Sequence, residues 1–398
     1  MGSFSWKPLL LACLIVSIGQ FSLGLIFPSL PWIAADLHLS TEQAQLLVSG
    51  YLFGFGTSQL AYGPLSDVFG RRPVLLSGLL ISLLGLVLAV AFADDFSWLL
   101  TGRAIQGVGA GSVAVLARAT IRDSYQRQDL VKAMTWLAIV AAFTPIVAPV
   151  IGGMLNHYAG WLSVFILLLA YIAIVWLVLL FTFKETLAKA SAPQSVGGLA
   201  RSYFSLIHER HFLSFAGIGW VNFSLVVISI SLMPFIMQVQ IGLSSEQYAL
   251  WAMVPAFGLL CGGLVCQRLR PKLGTKRMLQ LAPLLHFVAG SVLIAAPLEP
   301  AWMSLGHFLL AMANGIAFPC AQSLLLVPYA KKAGTVAALS GACQMVFASL
   351  ISNSLLKLGI SDAWHLGGVM VIGAVLGLLL GVIGTQSESG QRAVAALS

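Results

Sequence analysis

The sequence predicts an all-α integral membrane protein with twelve transmembrane helices, arranged as two pseudo-symmetric six-helix bundles. The first observation is composition, because 59% of the 398 residues are hydrophobic and only 9% are charged, against about 25% charged in a typical soluble domain. The second is the recurrence of apolar runs of about 20 residues, the length that crosses a bilayer. The third is a set of short matches between the two halves at one constant offset.

The apolar runs define the predicted spans one by one. These cover residues 8–30, 43–63, 73–93, 97–118, 132–155, 161–183, 212–236, 247–268, 278–297, 301–326, 333–357 and 363–384. The first run is followed by many similar ones, so it is predicted to be a span and not a cleaved signal peptide. One long polar break divides six spans from six, which predicts an N-terminal bundle (1–183), a cytoplasmic linker (184–211), a C-terminal bundle (212–384) and a cytoplasmic tail (385–398).

The distribution of Lys and Arg predicts the topology. With the N-terminus in the cytoplasm, all 21 Lys and Arg except Arg103 and Lys357 fall in segments on the cytoplasmic side. This bias follows the positive-inside rule along the whole chain, so both termini are expected in the cytoplasm. The expected location is the cell membrane, which in a Gram-negative bacterium is the inner membrane. The net charge of +8 therefore reports membrane topology and does not indicate nucleic-acid binding.

The two halves of the chain are related by an offset of 204 residues. Leu39-Ser40-Thr41-Glu42-Gln43 matches Leu243-Ser244-Ser245-Glu246-Gln247, and the same offset relates Gly70 to Gly274, Gly102 to Gly306 and Gly111 to Gly315. A constant offset at several places predicts a parallel repeat with a cavity between the two bundles. The Ser-x-x-Gln pairs predict a capping box at the start of a helix in each half.

The most distinctive segment follows span two and reads Gly63-Pro64-Leu65-Ser66-Asp67-Val68-Phe69-Gly70-Arg71-Arg72-Pro73. Gly63 and Pro64 predict a tight turn. The carboxylate of Asp67 can accept a bond from a helix N-terminus or pair with an arginine. An ordinary positive-inside loop explains Arg71 and Arg72 but leaves the complete spacing unexplained.

This segment resembles the first signature loop of the major facilitator superfamily, Gly-x-Leu-x-Asp-Arg-x-Gly-Arg-Arg, with Val68 in place of the usual basic residue. In that family the loop latches the two halves together on the cytoplasmic side in the outward-facing state. The resemblance implies that Asp67 is the latch, paired with Arg118 and facing span eleven near Gly334. The implied gating residues are Gly63, Asp67, Gly70, Arg71, Arg72 and Arg118.

Two further segments resemble motifs of the same family. Arg103 to Gly109 in span four resembles the second motif, and an arginine inside a span indicates function, with a buried structural hydrogen bonder as the alternative. Pro145, Pro149, Gly152 and Gly153 in span five resemble the third motif, Gly-Pro-x-x-Gly-Gly, with Ala148 replacing one glycine. In the family this motif marks antiporters, and generic helix kinking is the alternative. The resemblance covers the whole chain, and the branch it indicates is the twelve-span drug:proton antiporters, near the Bcr/CflA and EmrD-like proteins.

The proton-carrying group is not evident from the sequence. Many members of the family have an acidic residue in span one, where this chain has Gly24, and all 13 Asp and Glu fall in loops or at span ends. Asp36 and Asp67 remain as candidates at the ends of spans. His286 and His307 are candidates within spans, because histidine titrates near physiological pH. His307 lies 204 residues after Arg103, so the two are predicted to line the central path as pseudo-symmetric groups, with helix-to-helix bonding as the alternative.

The predicted substrate path is lined by polar or amphipathic side chains within the spans. These are Gln20, Tyr51, Gln59, Arg103, Trp220, Asn222, Asn314 and Gln344. Because no acidic residue is predicted mid-membrane to pair with an organic cation, a neutral or anionic substrate is expected, including a carboxylate-bearing metabolite or siderophore.

The predicted function is therefore proton-coupled export of small, largely apolar molecules or drugs by alternating access. A dedicated metabolite or siderophore exporter and a uniporter or importer on the same fold are the alternatives. An enzyme is not expected, because no catalytic or metal-binding arrangement and no nucleotide-binding loop occurs in the sequence. No cofactor and no nucleic acid are expected; the expected partners are a small-molecule substrate, protons and the bilayer, with the chain acting as a monomer.

Overall fold

The computed structural model describes residues 4–187 and 196–397, which form helices joined by short turns. Chain contacts divide the protein into two compact units, Met1–Gln194 and Ser195–Ser398. Residues 188–195 of the predicted linker, including Lys189, lie outside the described residues. The described parts of the chain contain no β-strand, so the all-α prediction is confirmed.

The N-terminal unit contains seven α-helices within residues 4–187. They are α1 (Trp6–Gly24), α2 (Leu30–Asp36), α3 (Thr41–Phe69), α4 (Arg71–Ala91), α5 (Phe96–Ser124), α6 (Arg127–Ala159) and α7 (Trp161–Thr182). A short 3-10 turn, Phe27–Ser29, joins α1 to α2, so predicted span one is two helices in succession. Pro28 and Pro31 lie at the first turns of these short elements, where their missing N–H groups cost no helical hydrogen bond.

The C-terminal unit repeats this order after a connecting helix. Its helices are α8 (Val196–Leu206), α9 (Arg210–Pro234), α10 (Ser245–Trp251), α11 (Met253–Ala295), α12 (Pro300–Leu326), α13 (Ala333–Lys357), α14 (Ala363–Gln386) and α15 (Glu388–Leu397). A π-helical turn, Phe235–Gln240, extends α9, and a 3-10 turn, Val327–Lys332, joins α12 to α13.

Ten segments within the described residues are long and apolar enough to cross a membrane. One of them, Ser245–Ala295, has 51 residues and would measure about 75 Å as a single helix, more than twice the hydrocarbon core. Gly274 interrupts it with φ 79° and ψ 156°, and so divides it into two spans. The helix α3 is not among the ten, although its 29 residues are long enough to cross a bilayer. With α3 added and Ser245–Ala295 divided, the segments are consistent with the twelve predicted spans.

Both predicted capping boxes are present. The Ser40 hydroxyl accepts from the Gln43 N–H and the Gln43 amide oxygen accepts from the Ser40 N–H, at 3.2 and 2.9 Å. Ser244 and Gln247 make the same two bonds at 3.1 and 3.0 Å. The two halves therefore start equivalent helices, α3 and α10, with the same local chemistry.

Close helix crossings also repeat at the offset of 204. A methyl group placed on Gly54 of α3 would lie 2.5 Å from the carbonyl oxygen of Ala104 on α5. In the C-terminal unit a methyl group on Gly258 of α11 would meet the carbonyl oxygen of Phe308 on α12. The same relation holds for Gly111 against Phe55 and for Gly315 against Leu259. The repeat therefore preserves the places where two helix backbones touch, as small residues permit.

The segment from Gly63 to Pro73 differs from its prediction. Gly63 and Pro64 do not form a turn, because α3 continues through them to Phe69. A proline inside a helix removes one hydrogen bond, and α3 tolerates this near its C-terminal end. The chain reverses at Gly70 alone, whose φ of 96° is a conformation that glycine adopts readily.

Candidate functional site

A buried polar network lies between α1, α3 and α5 and is centred on Arg103. The guanidinium donates to the carbonyl oxygens of Leu47 and Ser22 at 3.2 and 3.1 Å, and to the side-chain oxygen of Gln106 at 2.5 Å. The Gln106 amide donates in turn to the Ser22 hydroxyl at 3.2 Å. The guanidinium carbon lies 4.5 Å from the centre of the Tyr51 ring. We call Arg103, Gln106, Ser22 and Tyr51 the Arg103 network.

The Arg103 network is closed to solvent within the N-terminal unit. Arg103, Gln106 and Tyr51 are each 0% exposed. Carbonyl and amide oxygens and an aromatic face are the groups around the positive charge, since no Asp or Glu among the described residues is buried. In this structure the network ties three helices together, which favours the structural alternative for Arg103 over direct lining of an open path.

The equivalent region of the C-terminal unit is apolar. The positions 204 residues after Ser22, Tyr51 and Gln106 are Val226, Pro255 and Leu310. Leu310 is fully buried in a hydrophobic cluster against which Val226 packs. His307, the counterpart of Arg103, is 6% exposed, and the described part of the chain places no hydrogen-bond partner on its ring.

His286 on α11 is the second histidine inside the C-terminal unit. Its side chain is 1% exposed, and its Nε2 atom has no hydrogen-bond partner among the described residues. Neither histidine therefore bonds one helix to another here, which was the alternative to a functional role. Of the carboxylate candidates, Asp36 accepts a bond from the Trp161 indole at 2.9 Å and Asp67 pairs with Arg71.

Asp67, the predicted latch residue, lies at one end of the N-terminal unit and is bonded to Arg71. The Arg71 guanidinium bonds to Asp67 at 2.5 Å, to Ser66 at 2.6 Å and to Asp123 at 2.9 Å, and so joins the ends of α3, α4 and α5. Arg71, and not the predicted Arg118, is the partner of Asp67 in this structure. The reason is geometric, because Arg71 follows Asp67 by four residues across the tight turn at Gly70.

Glu185, just after α7, completes this end of the unit. Its carboxylate accepts from the N–H groups of Arg71 and Arg72 at 2.9 and 3.0 Å, and one oxygen lies 2.5 Å from where a side chain at Gly70 would begin. Arg72 reciprocates by donating to the carbonyl oxygens of Phe183 and Leu180, each at 2.8 Å.

The electrostatics of Glu185 follow from these contacts. Burial raises the pKa of the Glu185 carboxyl, but the N–H groups of Leu187, Arg71, Arg72 and Thr186 outweigh it, so its pKa lies below the ordinary value of 4.5. The carboxylate is thus held ionised where it caps the N-terminus of α4.

The antiporter-like motif of α6 packs against α1. A methyl group on Gly152 would meet the carbonyl oxygen of Leu25. A methyl group on Gly24 would lie 2.5 Å from the Ala148 side chain. The two departures from the family pattern, Gly24 and Ala148, therefore occupy complementary space. Pro145 and Pro149 lie inside the continuous helix α6.

The remaining predicted path residues are dispersed over the two units. Gln59 is buried and bonds to the carbonyl oxygen of Phe55 in its own helix, while Gln20 and Asn314 are half-buried. The Trp220 indole donates to the carbonyl oxygen of Ser340 at 3.0 Å, which joins α9 to α13. Asn222 and Gln344 are buried in the same unit, at 5% and 7% exposure.

Sequence reasoning missed several groups that the structure places in these networks. Ser22 and Gln106 were not chosen as site residues, although Gln106 stands three positions after Arg103 on one helix face. Asp123 and Glu185 were likewise not predicted as site residues. Their roles depend on contacts between residues more than 50 positions apart, for which one sequence carries no signal.

The architecture defines a class of protein before any relative is considered. Apolar helices cross a membrane many times, and repeated bundles carry ionisable groups inside spans, as in secondary transporters. The sequence model of the Major Facilitator Superfamily matches residues 11–352, and the chain belongs to this family.

Curated relatives and solved structures agree with this membership. The chain is 28% identical over 369 residues to the multidrug resistance protein MdtL of Salmonella typhimurium, covering 91% of this chain and 93% of that protein. It is 27% identical over 383 residues to an uncharacterized MFS-type transporter, YdgK, of Bacillus subtilis, covering 94% of each. A POT family transporter in complex with 5-aminolevulinic acid matches with a TM-score of 0.78 at 14% identity, covering 95% of this chain and 96% of that one. A D-xylose-proton symporter matches with a TM-score of 0.73 at 17% identity, covering 94% and 97%; these two likenesses show the fold alone.

Proposed function

We propose that this protein exports small, largely apolar molecules or drugs by alternating access, in exchange for protons. The observation that carries the proposal is the similarity over nine-tenths of the chain to a protein named for multidrug resistance. The antiporter-like motif supports it, because Gly152 lies against the carbonyl oxygen of Leu25 just after α1, where a small residue lets α6 approach closely.

The orientation is part of the proposal. The distribution of Lys and Arg supports a cell-membrane protein, the inner membrane in a Gram-negative bacterium, with both termini in the cytoplasm. The proposed unit of transport is a single chain. The Gly70 turn would then face the cytoplasm. Gly63, Asp67, Gly70, Arg71, Arg72 and Arg118 would form the closing region there, with Glu185 holding the turn in place.

The proton carriers in this proposal are the two histidines that have no hydrogen-bond partner among the described residues. His286 and His307 are buried inside spans, whereas Asp36 and Asp67 lie at helix ends and already bond to protein groups. Histidine can take up and release a proton near physiological pH.

The test uses inside-out membrane vesicles with a preformed proton gradient and a pH-sensitive dye. Lipophilic cations, neutral drugs and carboxylate siderophores are added in turn, and collapse of the gradient with one class supports proton-coupled export. The same assay is repeated from pH 6 to 8 with His307→Gln and His286→Gln. An altered pH profile supports a histidine carrier, whereas profiles identical to wild type in both variants exclude the histidines.

A dedicated exporter of anionic metabolites or siderophores is the second candidate. The specific observation in its favour is that no Asp or Glu among the described residues is buried, so none is placed inside a span to pair with a cationic substrate. In the vesicle assay this function predicts gradient collapse with the siderophores and none with the lipophilic cations.

A further inference from the structure

A cleft at one end of the N-terminal unit has no role in the function described so far. It lies where α2 ends beside the turn between α6 and α7, is open to solvent and has a volume of about 510 Å³. Ligand sites for small molecules commonly measure about 300–1,000 Å³. It is lined by Trp32, Ala35, Asp36, Ala159, Gly160, Trp161 and Leu162.

One part of the cleft is formed by Trp161 and Asp36, which are hydrogen-bonded to each other. Trp161 is 9% exposed, and its ring packs edge-on against Phe165 with the ring centres 5.9 Å apart. Its indole N–H donates to Oδ2 of Asp36 at 2.9 Å, which fixes the carboxylate while Oδ1 keeps its capacity to accept. The indole and the carboxylate are thus preorganised before any ligand enters.

The cleft offers a second indole, because Trp32 is 50% exposed and also lines it. Gly160 and Ala159, between α6 and α7, leave the space beside the indoles open, since nothing lies within 4 Å of where a side chain at Gly160 would begin. Within the part of the chain that the structure describes, no Lys, Arg or His lines the cleft. Its chemistry is therefore two aromatic surfaces and one negative charge.

This combination selects for a particular ligand class. The negative face of an indole attracts cations, and trimethylammonium-type groups gain apolar contact there as well. A hydrated metal ion gains little, because Mg²⁺ and Ca²⁺ need several oxygen ligands and the cleft supplies one carboxylate. An anion would face Asp36 with no basic partner.

We propose that this cleft is a binding site for monovalent organic cations with apolar substituents, formed by Trp32, Asp36 and Trp161. The inference rests on the proposed export function, to which it adds a substrate class. By the proposed topology the cleft opens on the outer side of the membrane, where an exported cation is released. The Arg103 network shares no residue with it, and its positive charge makes that region unsuited to cations.

The experiment measures binding to the full-length purified protein by titration calorimetry, with benzyltrimethylammonium as the probe. Neopentylbenzene, in which carbon replaces the charged nitrogen, is the neutral probe of the same shape. The proposal expects the cation to bind and the neutral probe to bind at least about fivefold more weakly, as cation–π and charge contacts at an exposed site suggest. Equal binding of both probes, or no binding of the cation, overturns it.

Two variants assign the binding to the cleft. Asp36→Asn removes the charge, and Trp32→Leu keeps apolar bulk while removing an exposed aromatic face; each is expected to weaken cation binding about fivefold or more. Glu42→Gln is the matched control, since it removes an exposed carboxylate from the start of α3 without touching the cleft. Wild-type affinity in both cleft variants, or an equal loss in Glu42→Gln, overturns the assignment, and thermal unfolding confirms that each variant is folded.

Binding and transport are separable in this design. If the wild-type protein moves drugs in vesicles but binds no ammonium probe, the cleft proposal fails while the export function stands. If the probe binds through Asp36 and Trp32 but no compound dissipates the proton gradient, the cation site stands and the proposed export function fails.

Discussion

The two units use the same helix crossings but fill the central position differently. In the N-terminal unit Gly54 lies against the Ala104 carbonyl, and in the C-terminal unit Gly258 lies against that of Phe308. Arg103 precedes Ala104, and His307 precedes Phe308. The Arg103 side chain is hydrogen-bonded to three oxygens, whereas His307 has no hydrogen-bond partner among the described residues. The repeat therefore preserves backbone approach, while the side chains inside it have diverged into a polar network and an apolar cluster.

The largest expected difference in stability between the two units comes from replacing Arg103 and His307 by apolar residues. Arg103→Met leaves the side-chain oxygen of Gln106 and the carbonyl oxygens of Ser22 and Leu47 without their donor, at roughly 1–3 kcal/mol for each acceptor left unsatisfied. We expect a large loss of thermal stability and loss of transport. His307→Leu removes no bonded group and is expected to change stability by less than about 1 kcal/mol.

Thermal unfolding of the purified variants and dye-monitored transport in vesicles check this difference. Arg103→Lys is the informative control, because it keeps the charge but cannot reproduce the spread of guanidinium bonds, and it should rescue only part of the stability. Equal stability losses in Arg103→Met and His307→Leu would contradict the contrast between the two units.

The next largest effect tests the part that the two units share. Gly54→Ala and Gly258→Ala each place a methyl group against a backbone carbonyl on the neighbouring helix. Overpacking of this kind costs about 1–3 kcal/mol, and because the crossings are equivalent the two variants should lose stability by similar amounts. Thermal unfolding in the same detergent measures both losses.

Gly263→Ala provides the control on α11, since nothing lies within 4 Å of where its side chain would begin. It is expected to match wild type or exceed it slightly, because alanine favours helix more than glycine does. A strong loss of stability in Gly54→Ala but not in Gly258→Ala would contradict this prediction. It would show that the C-terminal helices move apart more easily, so that the two crossings are alike in geometry but not in energy.

The sequence was sufficient for features that depend on local pattern. Apolar runs located the spans, and Ser40-x-x-Gln43 and Ser244-x-x-Gln247 predicted caps that the structure contains. The turn at Gly63 and Pro64 was wrong because one proline does not end a helix when the residues after it continue the pattern. Glycine at 70, and not the Gly-Pro pair, makes the reversal.

Contacts between distant residues could not be predicted from the sequence. The pairing of Asp67 with Arg71 instead of Arg118 depends on how α3, α4 and α5 end together. The complementary fit of Gly24 and Ala148 joins positions in α1 and α6 that no spacing rule connects. The capping of α4 by Glu185 likewise joins residues that are far apart in the chain.

The smallest expected effect concerns the turns at Gly70 and Gly274, which are related by the repeat. Glu185 fills the space beside Gly70, whereas nothing lies within 4 Å of where a side chain at Gly274 would begin. Glu185→Gln removes the charge that four N–H groups stabilise and should lower the unfolding temperature at pH 7 by about 2–4 °C. Asp94→Asn, at an exposed turn of the N-terminal unit, is the control and should leave the unfolding temperature unchanged.

The stability difference between wild type and Glu185→Gln should depend on pH. Because the pKa of Glu185 is lower in the folded protein than its ordinary value of 4.5, its ionised form stabilises the fold above that value, and this stabilisation is lost as pH falls through the folded pKa. The difference between wild type and Glu185→Gln should therefore be full at neutral pH and disappear in acid. Unfolding curves of both proteins from pH 7 to pH 3 measure it. A difference that persists unchanged at pH 3 would mean that the glutamate acts through packing beside Gly70, and the contrast between the two turns would then be one of shape and not of charge.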